Sequence, residues 1–106
     1  MTDIGHEQSI LFEVSTPLGF RVRVTRSYWE LITTIKAGQE SMVKNALQTP
    51  AQIRLSRSNA SVYLFYRQER ADRWICAVAK RLNGEGFLIL AYPTEAIKEG
   101  VRVWPK

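Results

Sequence analysis

Ile10, Phe12 and Val14 alternate with other positions, and Phe20, Val22 and Val24 do so again with Arg21 and Arg23 between them. A period of two places each triplet on one side of an extended strand. Between them, Thr16-Pro17-Leu18-Gly19 has proline at the second turn position and glycine at the fourth, so residues 9–24 predict a β-hairpin. The period then changes. Tyr28, Leu31, Ile32 and Ile35 fall at i, i+3, i+4 and i+7, a helical stripe, and Ser27 with Glu30 has the spacing of a capping box. Gly38 predicts the end of this helix. A second helix is expected over 39–48, burying Met42, Val43, Ala46 and Leu47, with Pro50 closing it.

Beyond Pro50 the pattern returns to strands. Ile53–Ser56, Val62–Arg67, Trp74–Lys80 and Phe87–Tyr92 are separated by turn-forming residues: 58–61, 69–72, then Asn83-Gly84-Glu85-Gly86. Short connectors favour antiparallel neighbours. Thr94 is placed as an N-cap for one helical turn over 95–98, and Val101–Trp104 is a last strand. The expectation is an α+β domain: an N-terminal hairpin, then two short helices packed on one face of a four- to five-stranded antiparallel sheet whose other face stays largely open. Residues 1–8 are expected to be frayed or disordered, and 9–106 to form one domain.

Composition narrows the classes. The chain has 106 residues, enough for one core, with 45% hydrophobic and 24% charged residues, as in ordinary globular proteins. No apolar run approaches the roughly 20 residues that span a bilayer, and the first residues lack the basic and apolar segments of a secretory signal. A cytoplasmic, membrane-free location is the expectation. The only cysteine, Cys76, lies in an apolar run and reads as a buried thiol; the only histidine is His6. One of each rules out a zinc site of the usual Cys/His kind, and no metal or cofactor is expected.

Charge is unevenly spread. The net charge is +5, yet residues 1–20 contain no lysine or arginine, whereas residues 53–81 hold seven cations (Arg54, Arg57, Arg67, Arg70, Arg73, Lys80, Arg81) against Glu69 and Asp72. Arginine clusters suit phosphate, because the guanidinium fork donates two parallel hydrogen bonds. A solvated sheet face is the plain alternative.

The order of Tyr28-Trp29-Glu30-Leu31-Ile32, Ala46-Leu47 with Pro50, Ile53-Arg54-Leu55-Ser56-Arg57-Ser58, Val62-Tyr63-Leu64-Phe65-Tyr66-Arg67, Val78-Ala79-Lys80, Gly86-Phe87 and Ala91-Tyr92-Pro93-Thr94 resembles the phage and bacterial BECR-fold nucleases, the group of barnase, EndoU, colicin D and RelE. The similarity runs over roughly residues 20–104. It implies a small metal-independent ribonuclease, with RNA across the sheet. Many such enzymes are toxins held by a partner, so an acidic antitoxin or immunity protein is the implied protein partner. The chain departs from the pattern twice. Ile35-Lys36-Ala37-Gly38 carries no histidine where related domains often have one, and Leu90-Ala91-Tyr92 stands where many have Thr-Ala-Tyr.

Metal-independent RNA cleavage needs a base for the 2′-hydroxyl, an acid for the leaving 5′-oxygen and cations for the phosphoryl charge. The candidate catalytic residues are Lys80, Arg57, Arg54, Tyr92 and Thr94. Lys80 serves as the base if burial beside other cations lowers its pKa, and is otherwise a solvent-facing strand lysine. Arg67, Arg73, Arg81, Tyr63 and Tyr66 are the RNA-binding candidates, the tyrosines by stacking on bases. By strand parity Tyr63 and Arg67 share one face and Tyr66 takes the other. The alternatives are a non-catalytic RNA-binding or protein-interaction derivative of the same fold, and an unrelated α+β interaction module.

Overall fold

A computed structural model of the chain describes residues 9–32, 39–97 and 99–106. His6, Ile35, Gly38 and the expected frayed terminus lie outside the described residues. The elements are β1 (Ile10–Ser15), β2 (Arg21–Thr25), α1 (Arg26–Ile32), α2 (Glu40–Gln48), β3 (Gln52–Leu55), β4 (Val62–Arg70), β5 (Arg73–Leu82), β6 (Glu85–Thr94) and β7 (Val101–Trp104).

The hairpin forms as its pattern predicts. Gly19 takes φ +91°, its N–H donates to the Thr16 carbonyl at 3.1 Å, and Thr16 Oγ1 donates to the Phe20 carbonyl at 2.9 Å. In the other tight turn, Asn83 and Gly84 take φ +55° and +82°, the positive angles that a two-residue hairpin turn requires.

The helix signals read less accurately. α1 begins at Arg26, and the Tyr28 N–H donates to Thr25 Oγ1 at 3.2 Å, so Thr25 and not Ser27 occupies the capping position. The expected stripe is also displaced. Trp29 is the buried residue, packed edge-on against Phe12 at 5.9 Å between ring centroids, whereas Tyr28 is 42% and Leu31 81% exposed. Ile32 does pack against the main core, so Tyr28 and Leu31 are the described stripe positions that face away. α2 follows its pattern, burying Val43, Ala46 and Leu47.

The nine elements of the described residues join one layer pair. The sheet has seven strands in the order β1-β2-β6-β5-β4-β3-β7, more than the four or five expected. The predicted hairpin does not stand apart from the sheet: Val22 and Arg23 of β2 pair in parallel with Gly86 and Phe87 of β6, so the sheet is mixed, not purely antiparallel. Gly86 permits this approach, because a Cβ there would lie 2.6 Å from the Arg21 carbonyl oxygen and 2.9 Å from the Phe20 ring.

Both helices pack on one face, α1 over β1, β2 and β6, and α2 over β1, β4 and β5. Between them and the sheet lies the main core, which includes Val22, Trp29, Val43, Leu47, Ile53, Phe65, Ala77 and Leu88. The opposite face is less open than its pattern suggests. Residues 95–100 lead from β6 to β7, which sits beyond β5, β4 and β3, so this connection must cross them. The described residues 95–97 and 99–100 form no helical turn, and residue 98 of the expected turn lies outside the described residues. Ile97 instead packs on a second apolar cluster of Leu64, Tyr66, Cys76 and Val78. Thr94 Oγ1 donates to the Ala96 carbonyl at 3.2 Å, not acting as an N-cap acceptor. Among the described residues, no helix is long and apolar enough to cross a membrane.

Candidate functional site

Strand parity and register decide which candidates can meet. Residues directly opposite in antiparallel pairs point to the same side of a sheet. Leu64, Tyr66, Cys76 and Val78 form the helix-free cluster. Arg54 lies opposite Leu64, Tyr92 opposite Cys76 and Thr94 opposite Trp74, while Lys80 lies two residues along β5 from Val78. These four candidates therefore share the helix-free face. Arg57 sits exposed in the β3–β4 turn at one end of it.

Sharing a face does not bring them together. Tyr92 is opposite Cys76, four residues from Lys80, which at about 3.4 Å per residue and 4.8 Å per strand separates their Cα atoms by about 14 Å. Arg54 is two strands and two residues from Lys80, about 12 Å by the same spacings. The crossover ends beside Arg54. Arg54 holds it: Nε and Nη2 donate to the Gly100 carbonyl at 3.2 and 2.8 Å, and Nη1 donates to Gln52 Oε1 at 3.1 Å.

Lys80 and Arg57 are better placed. Lys80 pairs with Val62, and the Ser56 N–H donates to the Val62 carbonyl at 2.9 Å, while the Arg81 N–H donates to Ser61 at 2.8 Å. The turn bearing Arg57 is thereby stitched to the end of β5, and its base lies two strands, about 10 Å, from Lys80. Both side chains are long enough to reach one phosphate between them. Among the described residues no carboxylate lies within ion-pairing distance of Lys80, Arg57, Arg54 or Arg81.

Tyr66 and Tyr92 belong to a buried polar cluster beneath the crossover. The Cys76 thiol packs between the two rings, and Ile97 of the crossover closes over them. Tyr66 is 1% exposed, which leaves its ring no free face for a base. Burial pushes Cys76 up from 9.0 to about 11 and raises both tyrosines well above their usual 10.0. All three are neutral near pH 7, which suits a packed, inert cluster.

The remaining RNA-binding candidates lie on the helix-covered side. Tyr63 is half-buried against Phe20, 5.5 Å between ring centroids, and Arg67 donates to the Thr49 carbonyl and hydroxyl at 2.6 and 3.1 Å. Arg73 pairs with Glu69. Arg81 stacks 4.7 Å over Phe20. The sequence signal missed Arg21 and Arg23, whose alternation with the hairpin's apolar residues marked them only as solvent-facing. It also missed Arg102, directly opposite Arg54 on β7. Among the described residues no three His, Cys, Asp or Glu side chains cluster as metal ligands would. Comparison of the chain with protein-family models, with curated proteins and with solved structures returns no match in any of the three.

Proposed function

We propose that this chain is a metal-independent ribonuclease of the BECR type, working at the end of the helix-free face where Lys80 meets the β3–β4 turn. The observation that carries this reading is the placement of Lys80 and Arg57 on either side of Val62, with no carboxylate among the described residues in ion-pairing distance of either. A phosphodiester bridging them would have a non-bridging oxygen on the Arg57 fork and its 5′-oxygen at the Lys80 ammonium. When the 2′-oxygen attacks phosphorus, the P–O2′ bond forms and the P–O5′ bond breaks. The 2′ proton leaves to water, and Lys80 donates a proton to the departing 5′-oxygen. The products are a 2′,3′-cyclic phosphate and a 5′-hydroxyl. The chain's excess of positive charge supports RNA as the ligand, and an acidic protein is the matching choice of inhibitor.

A second reading, a non-catalytic RNA-binding derivative, is favoured by one specific arrangement. Arg54 is bonded to Gly100, Tyr92 is packed on the Cys76 cluster and Thr94 is bonded to Ala96, so three of the five expected catalytic residues are engaged elsewhere. Cleavage of a fluorophore-labelled single-stranded RNA in EDTA separates the two. The ribonuclease reading expects cyclic-phosphate ends, and at least a tenfold slower rate in both Lys80→Ala and Arg57→Ala, about 1.4 kcal/mol or more of lost transition-state stabilisation. Intact RNA after prolonged incubation with folded wild-type protein overturns it in favour of binding alone.

A further inference from the structure

The parallel pairing of β2 with β6 does more than close the sheet. Arg23 is opposite Phe87 on β6, and Phe87 is opposite Lys80 on β5. Lys80 and Arg23 therefore stand in one row on the same face, two strands or about 10 Å apart. Arg21 lies one step further along β2 on that face, 63% exposed at its side chain. The close fit at Gly86 fixes this juxtaposition, since any Cβ there would drive the hairpin away. Arg23 is laid 4.6 Å over the Phe87 ring, which orients its guanidinium plane across the row.

We infer that Arg21 and Arg23 extend the Lys80 surface into a track for the phosphodiester backbone of single-stranded RNA, and that Glu85 tunes it by competing for Arg23. The inference rests on the ribonuclease or RNA-binding reading of that same surface. Arg23 Nη2 lies 2.7 Å from Glu85 Oε1, and Arg21 Nη2 lies 3.6 Å from Glu13 Oε1. Pairs this exposed gain little from each other because water screens them, so a phosphate can displace either carboxylate. A strand crossing from Lys80 to Arg23 meets a half-buried guanidinium plane with Phe87 beneath it, whose outer face can stack on an unpaired base. A duplex keeps its bases turned inward and cannot use that plane.

Fluorescence anisotropy of a labelled single-stranded RNA, titrated between 20 and about 200 mM KCl in EDTA, tests the track. Each phosphate contact contributes about 0.7 to the slope of log affinity against log salt for single strands. Contacts from Lys80, Arg57, Arg21 and Arg23 predict a wild-type slope of roughly −3. Arg21→Gln and Arg23→Gln should each make it shallower by about 0.7. Glu85→Gln should tighten binding, and Arg70→Gln at the far β4–β5 turn should leave the slope unchanged. If RNA binds, and Lys80→Ala weakens it, while both hairpin variants keep the wild-type slope, the track is wrong and the reading of Lys80 stands. A loss at Arg70→Gln equal to that at Arg23→Gln overturns the track as well, because charge without location would explain both. Absence of wild-type binding at 20 mM KCl removes the RNA reading and the track together.

Discussion

Gly100 offers the sharpest check on the crossover that divides the helix-free face. Its φ is +82°, and a Cβ would lie 2.6 Å from the Leu55 carbonyl oxygen and 3.2 Å from Arg54 Cβ. Gly84 has the same φ, with nothing within 4 Å of the added atom. Alanine at either site carries the left-handed backbone penalty, about 1–2 kcal/mol. Only Gly100→Ala adds a clash with backbone, for which overpacking costs of about 1–3 kcal/mol are the guide. Gly84→Ala should therefore lose about 1–2 kcal/mol and Gly100→Ala about 2–5 kcal/mol. In urea, with a slope of about 1.5 kcal/mol/M, the two midpoints should differ by roughly 1–2 M. A domain with a stability of about 5–15 kcal/mol survives either change, so both curves are measurable. Equal midpoints would refute the packing of Gly100 on Leu55, and with it the path of the crossover.

Two more outcomes follow from the same face. Arg54→Ala should cost about 1–3 kcal/mol, because the carbonyl of the buried Gly100 loses both donors; Arg54→Lys should recover only part, since an ammonium cannot supply the fork. Wild-type stability in Arg54→Ala would contradict the latch. Cys76 titrates near 9.0 when exposed and about 11 when folded. Its contribution is thus intact below pH 9 and lost as pH rises from 9 to 11, because the unfolded chain gives up its proton first. The urea midpoint should fall over that interval, with the raised Tyr66 and Tyr92 adding to the fall. A midpoint that rises with pH there, or rapid labelling of Cys76 by a thiol reagent in native buffer, would refute the buried cluster.

What the sequence disclosed was mostly local. The turn at Pro17–Gly19, the apolar positions of α2 and the four strands after Pro50 each follow from patterns within a dozen residues, and each is present. Parity also placed Tyr63 and Arg67 opposite Tyr66. The helix α1 failed differently: Tyr28 and Leu31 stay exposed while Trp29 finds Phe12 through the tertiary fold, a contact that no local period encodes. Non-local pairing was illegible. Neither Val22–Gly86 nor the crossing from β6 to β7 leaves a periodic trace, because the partners lie more than sixty residues apart in one case and the described residues of the connection have no regular structure in the other.

That distinction explains why the expected site is only partly assembled. Parity can tell that Arg54, Lys80, Tyr92 and Thr94 share a face, but distance along the sheet depends on register, and register is set by pairings that sequence spacing does not encode. The β5–β6 pairing slips by one residue between Val78 and Ala79, shifting Phe87, and with it β2, against the rows on the far side of the slip. Consequently Lys80 faces Phe87 and not Leu88, which points into the helix-side core. Had the ladder run without the slip, the residue opposite Lys80 would have been Leu88 and Arg23 would have stood one step off its row. The irregularity at the middle of β6 thus aligns the hairpin's arginines with Lys80.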